Sequence, residues 1–207
     1  MLQIAIATKN KGKIREIKNF FNDFPDMTGI RWLTFKDFEN FPDVEECEDS
    51  FLENARIKAK NVAEFTGVVT LADDSGLVVD ALNGAPGVKS SRYSGTGATD
   101  KTNRIKLLSE LAKISSIKER RARFVCRMVL WEPGKGLLHE TSGICEGYIG
   151  FDEKGTNGFG YDCIFIPEGY KKTMAQLSQK EKNKISHRGR ALQNLAGFLI
   201  LNQKQNQ

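Results

Sequence analysis

The sequence predicts an α/β protein: a mixed β-sheet with flanking helices. Three observations predict it. A strand-length apolar run opens the chain and gives way at once to helical spacing. A second helical pattern, bracketed by cap residues, leads into two runs rich in β-branched residues. Further on, two longer stretches lie either side of a Pro-Gly turn, the first alternating as a strand does. At 207 residues the chain is expected to form one domain, with room for two lobes around its core.

The opening run is "QIAIAT", and "NKGKIREIKNFF" then sets Ile14, Ile17 and Phe21 at helical spacing. Ser50 and Glu53 form a capping-box pattern; "SFLENARIKAKNVAEFTG" continues with Phe51, Ala55, Ala59, Val62 and Ala63 and stops at Gly67. "VVTLADDSGLVVDAL" follows, two apolar runs with Asp73-Asp74-Ser75-Gly76 between them, read as a buried strand that ends at two carboxylates. A third helix is expected from about Asp100 through "KTNRIKLLSELAKI". "RRARFVCRMVLWEPG" alternates Phe124, Cys126, Met128 and Leu130 against Arg127 and Val129, a strand whose antiparallel partner is "GLLHETSGICEGYIG". The last helix begins near Ser186 and buries Leu192, Leu195, Ala196 and Leu199.

Hydrophobic residues at 40% and charged residues at 28% are the balance of an ordinary globular protein. No apolar run approaches the ~20 residues that cross a bilayer. The N-terminal stretch lacks the basic and apolar regions of a secretory signal, so the expected compartment is the cytoplasm. Cys47, Cys126, Cys145 and Cys163 show no CxxC spacing and are expected as reduced thiols. With His139 and His187 the only histidines, a zinc site is disfavoured, and any metal should be a hard cation on oxygen ligands. The net charge of +5 is unevenly spread: residues 37–53 carry eight acids and no Lys or Arg, while residues 9–18, 118–127 and 171–190 are basic. Charge alone leaves open a nucleic-acid surface and a polyphosphate site with a metal.

Four segments could carry chemistry. In "ATKNKGK", Thr8, Lys9, Asn10, Lys11, Gly12 and Lys13 lie between a strand and a helix, where loop amides, a helix N-terminus and lysines can cradle phosphate. The Walker A spacing is absent, and the simpler reading is a helix cap with solvated lysines. Glu45 and Glu46 precede a helix, which by itself favours carboxylates there. Together with Asp73 and Asp74 they supply the oxygen ligands that Mg²⁺-dependent polyphosphate chemistry needs, although DDSG on its own reads as a turn. In "GTNGFGYDCIF", glycines permit close backbone approach and Phe159 and Tyr161 offer flat faces for a base. In "EKNKISHRG", Lys182, Lys184, His187 and Arg188 gather where a helix starts.

Taken in order, "ATKNKGK", "SFLENARIKA", "LADDSGLVVDALNGAPGVKSSRYSG", "GFGYD" and "ISHRG" resemble the inosine triphosphate pyrophosphatase family, also called dITP/XTP pyrophosphatases, over nearly the whole chain. The resemblance implies an elongated two-lobed α/β fold with a central cleft, a homodimer, and hydrolysis of ITP, dITP and XTP to the monophosphate and pyrophosphate. It places Thr8, Asn10 and Lys13 on the triphosphate, Lys58 on the phosphate side, and Glu46 and Asp74 on Mg²⁺, with Asp74 also the proton acceptor and Asp73 assisting. It places Ser75 at a substrate contact, Phe159, Gly160, Tyr161 and Asp162 around base and sugar, and Lys182, His187 and Arg188 on base and phosphates. Arg188 or amides of the Phe159 loop would donate to the 6-oxo group of the base. Two positions depart from the family: Cys163 stands where proline is common and is expected to loosen the loop, and Lys9 replaces glycine or serine. A sibling enzyme for modified pyrimidine nucleotides, a basic nucleic-acid-binding module and a non-catalytic nucleotide sensor are the alternatives. No RNA-recognition, KH or zinc motif supports the second, and a sensor would not need Glu46 beside Asp74.

Overall fold

The computed structural model describes residues 2–22, 24, 29–46 and 48–205. Among these, Cys126, Cys145 and Cys163 are free thiols, as expected; Cys47 lies outside the described residues. β1 (Leu2–Ile6) leads into α1 (Lys11–Asn22) and β2 (Ile30–Leu33), and β2 lies parallel to β1 with Ile4 opposite Trp32. Parallel neighbours need a crossover of this kind. α2 (Phe51–Thr66) provides the next one, bringing β3 (Thr70–Val79) parallel to the other side of β1. After α3 (Asp100–Glu110) the chain forms β4 (Arg121–Glu132), β5 (Gly136–Ile149) and β6 (Phe165–Pro167), then α4 (Gln179–Ile185) and α5 (His187–Gln205). The sheet order is β2-β1-β3-β4-β5-β6, and β5 and β6 are antiparallel. This is the mixed α/β sheet that the sequence predicts.

The chain divides into two compact units. Unit 1 comprises Met1–Asp74, Cys126–Gly143 and Arg188–Gln207; unit 2 comprises Ser75–Val125 and Ile144–His187. Each has its own core. In unit 1, Ile17, Phe20 and Phe21 of α1 and Leu192, Leu195 and Leu199 of α5 pack with Ile4, Ile6 and Leu71. A second cluster buries Ala55, Ala59 and Val62 of α2 against Ala7, Ala72 and Val129. In unit 2, Leu77, Leu107, Phe124, Ile149, Tyr161, Ile164 and Phe165 form one cluster. Each Val, Leu, Ile or Phe side chain so buried contributes about 1.5–3 kcal/mol.

Local signals set several boundaries. Ser50 caps α2 by accepting from Glu53 N, while the Glu53 carboxylate pairs with Arg56 rather than returning to the cap, so only half of the expected box forms. Gly67 ends α2 in the left-handed conformation. α5 buries Leu192, Leu195, Ala196 and Leu199, as predicted.

Four expectations are corrected. β3 does not end at Asp73 and Asp74; it runs through them to Val79. α3 stops at Glu110, short of the expected Ile114. β4 does not alternate cleanly, because Val125 and Val129 are buried as well as Phe124, Cys126, Met128 and Leu130. That is the pattern of a strand covered on both faces. Finally, residues 179–185 form a separate short helix, capped by a reciprocal Ser178–Glu181 box, before α5 begins.

Gly147 on β5 faces Pro167 on β6, and a Cβ there would lie 2.3 Å from the Ile166 carbonyl oxygen and 2.7 Å from Phe165 Cζ. Gly147→Ala is therefore expected to lower stability by about 1–3 kcal/mol, read from the denaturant midpoint.

Candidate active site

Asp73 sits within β3 at 2% exposure. Lys13 Nζ of α1 lies 3.1 Å from Asp73 Oδ2, and Arg188 of α5 donates to the same oxygen from Nη2 (3.1 Å) and Nε (3.3 Å). Arg188 Nη1 also donates to Glu16, one turn beyond Lys13 on α1. Burial alone would raise the Asp73 pKa, but Lys13, Arg188 and Lys58 outweigh it and hold the carboxyl well below its ordinary range. Burial likewise opposes the Arg188 charge, and Asp73 and Glu16 more than restore it.

Asp74 belongs to a different group. Asn54 Nδ2 of α2, fully buried, donates to Asp74 Oδ2 at 3.1 Å and to the Glu48 carbonyl at 3.0 Å. Lys58, one helical turn on, donates to Glu46 Oε1 at 2.7 Å and to the Asp73 carbonyl at 2.6 Å, and lies 3.6 Å from Asp74 Oδ1. Burial raises the Asp74 pKa; Lys58 opposes that and Glu46 reinforces it. Lys58 stays charged because Asp74, Asp73 and Glu46 overcome its own burial. Glu46 and Asp74 thus already share one cation. Hard oxygen donors on a common charge fit Mg²⁺, which takes one or two protein carboxylates. Among the described residues no three His, Cys, Asp or Glu side chains converge, so this is not a full protein cage.

A cavity of about 130 Å³ in the same unit is lined by Thr8, Lys9, Phe41, Asp43, Glu46 and Lys58, among others. Asn10 caps α1, its Oδ1 accepting from Gly12 N (2.9 Å) and Lys13 N (3.1 Å), while Thr8 Oγ1 accepts from Asn10 N. The helix-cap half of the loop reading is therefore present, and Lys13, instead of being solvated, turns to a buried carboxylate. Lys11 is exposed. Lys9 pairs with Asp43 at 2.6 Å, joining the loop to the acidic segment.

Phe159, Gly160, Tyr161, Asp162, Lys182 and His187 lie in unit 2, as does Ser75. Asp162 organises the loop: its Oδ2 accepts from Phe159 N (2.9 Å) and from Lys182 Nζ (2.6 Å). Lys182 Nζ also lies 5.4 Å from the Phe159 ring centroid. Tyr161 donates its hydroxyl to the Ser90 carbonyl at 2.8 Å. His187 stacks on Phe124 with 4.7 Å between centroids. The chain passes from unit to unit inside two of the motifs, between Asp74 and Ser75 and between His187 and Arg188.

Sequence reasoning missed Glu16, which lies in no quoted motif, and Asn54, which sits inside "SFLENARIKA" with nothing to set it apart from its neighbours. Lys184, quoted with its neighbours, makes no comparable buried ion pair among the described residues.

The model of the Ham1 family matches residues 4–198. A dITP/XTP pyrophosphatase of Oceanobacillus iheyensis is 44% identical over 96% of this chain and 98% of its own length. One of Geobacter sulfurreducens is 48% identical over 93% of this chain and 94% of its own. Among solved structures, a HAM1 protein from Coxiella burnetii aligns with TM-score 0.83 and 42% identity, covering 96% of this chain and 98% of that one.

Two predictions follow from this geometry. Asp73→Asn leaves Lys13 without its buried acid and is expected to cost about 3–5 kcal/mol. Because the folded Asp73 pKa is lowered, its stabilisation is full above the ordinary value of 3.8 and is lost as pH falls below it. Denaturant midpoints should thus fall more steeply for the wild type than for Asp73→Asn from roughly pH 4 to 2. Secondly, Gly158 has φ +83°, and a Cβ would stand 2.0 Å from Asp162 Oδ2. Gly158→Ala should displace Asp162 from Lys182 and lower stability by about 1–3 kcal/mol, read by chemical unfolding.

Proposed function

This chain belongs to the Ham1 family, and from that premise we propose that it hydrolyses ITP, dITP and XTP to the monophosphate and pyrophosphate, clearing deaminated purines from the nucleotide pool. The observation that carries this reading is the pair of carboxylates, Glu46 and Asp74, gathered on the Lys58 ammonium in unit 1. A nucleotide-binding protein without hydrolytic activity has no use for that pairing, which costs desolvation on both acids.

In this reading Glu46 and Asp74 hold Mg²⁺, which when bound neutralises charge developing on the phosphates. Water attacks the α-phosphorus, and Asp74 accepts its proton. A carboxyl whose pKa is raised, chiefly by burial, is a better base than an exposed one. Asn54 orients that carboxylate through Oδ2. Lys58 and Lys13 offset the charge that leaves as pyrophosphate. Thr8, Lys9, Asn10, Lys11 and Gly12 belong to the phosphate loop, and Ser75 follows the catalytic pair.

Base recognition falls to unit 2, with Phe159 as the stacking face and Tyr161, Asp162, Lys182 and His187 around it. Donors to a 6-oxo group select against adenine, whose amino group would place donor against donor at ~1–3 kcal/mol per buried mismatch. The Phe159 amide is committed to Asp162 and the Gly160 amide to Asp100. Arg188 is held by Asp73 and Glu16 within unit 1. A homodimer in the cytoplasm completes the proposal; no described helix is long and apolar enough to cross a membrane.

The test is pyrophosphate release from ITP, XTP, dITP, GTP, ATP and TTP with Mg²⁺. Turnover is expected for the first three, falling by about 10²–10⁴ in Asp74→Asn and abolished by chelator. Equal turnover of all six would discard the account of base selection. No turnover of any would leave the chain a binder and sink the catalytic reading.

A further inference from the structure

We propose that Arg104 and Asp100, on α3, are positioning residues that set base selectivity by clamping the Gly160 peptide of the Phe159 loop. The inference rests on reading that loop as the base-binding segment. Both residues lie one turn apart on the same face of α3, and they take both backbone polar groups of Gly160. Asp100 Oδ2 accepts from Gly160 N at 2.8 Å, and Arg104 Nη1 donates to the Gly160 carbonyl at 2.8 Å. Gly160 itself has φ +61°, a conformation with no intrinsic preference to hold it there.

The guanidinium is fixed from its other side. Arg104 Nε and Nη2 donate in parallel to Glu153 at 2.8 and 3.1 Å, and the Arg104 side chain is 14% exposed. A guanidinium held by a carboxylate on one edge delivers its remaining arm in a set direction, which a lysine cannot do. Lys154 N donates to the Cys163 carbonyl at 2.8 Å. A proline at position 163 would keep that carbonyl, so this contact does not distinguish the two residues. From the inner side Asp162 grips Phe159 N, so residues 159–162 are held between α3 and Lys182. Orientation fixed before binding lowers the ordering cost that a base would otherwise meet.

The test uses the full chain with Arg104→Ala, Arg104→Lys and Glu153→Gln, measuring kcat and KM for ITP and ATP together with the thermal midpoint. Arg104→Ala is expected to raise KM for ITP by about ten- to a hundredfold while kcat changes little, and to narrow the ITP-over-ATP preference. Arg104→Lys should recover part of the loss, and Glu153→Gln should move KM in the same direction. A wild type that turns over ITP, with KM and preference unchanged in folded Arg104→Ala, overturns the positioning role alone. A wild type without turnover overturns the enzymatic reading and this inference with it. Should Arg104→Ala fail to fold, Glu153→Gln decides: an unmoved KM counts against the clamp.

Discussion

The structure of unit 1 depends on a negative charge buried in the middle of a strand. An ionised carboxylate at the Asp73 position would cost several kcal/mol unless cations met it there. Lys13 and Arg188 do so from two helices far apart in sequence, and Glu16 balances the second positive charge. Two acids and two bases close the account locally, so none can be removed without stranding another. The same α1 and α5 that carry these cations also bring Ile17, Leu192 and Leu195 onto β3 through Leu71. Packing and charge neutralisation are thus one constraint: the helices cannot shift on the apolar core without breaking the ion pairs.

Strand geometry explains why two adjacent aspartates have different duties. Successive side chains on a strand face opposite sides. Leu71 lies in the α1–α5 cluster and Ala72 in the α2 cluster. Asp73 accordingly meets Lys13 and Arg188, while Asp74 meets Asn54 and Lys58 of α2. One position is locked by strong counter-charges that keep it ionised. The other has a weaker balance, with burial and Glu46 working against Lys58, and retains basicity. Continuity of β3 through both is what turns a pair of like charges into two separate sites.

The first strand, α1, α2 and the ends of α2 were legible because their signals are local: Ser50, Gly67 and the spacing of Ile14, Ile17 and Phe21 lie within a few residues of what they determine, whereas β2 and the strand order carry no such signal. Asp73-Asp74-Ser75-Gly76 misled for the same reason, since Asp, Ser and Gly all argue locally for a turn, and only remote cations make a strand tolerable there. Motifs singled out Asp73, Asp74, Lys58, Lys182 and Arg188, but not every residue that holds them in place. Glu16 lies 172 residues from Arg188, and Arg104 lies 56 from Gly160. No periodicity or cap reveals contacts of that range.

The cations of the basic segment 171–190 divide in the folded chain: Lys184 and Arg190 are exposed, while Lys182 and Arg188 are buried against carboxylates, as Lys58 is outside the basic segments. Both units use the same arrangement, Lys58 with Glu46 and Asp74 in one, Lys182 with Asp162 in the other. Each lysine is desolvated during folding rather than during binding, and its carboxylate keeps it charged and aimed. In the proposed reaction an incoming anion exchanges one counter-charge for another. It does not have to strip water from a free ammonium, and the ordering of a long flexible side chain has already been met by the fold. Preorganisation of this kind is what electrostatic stabilisation of a phosphate leaving group requires.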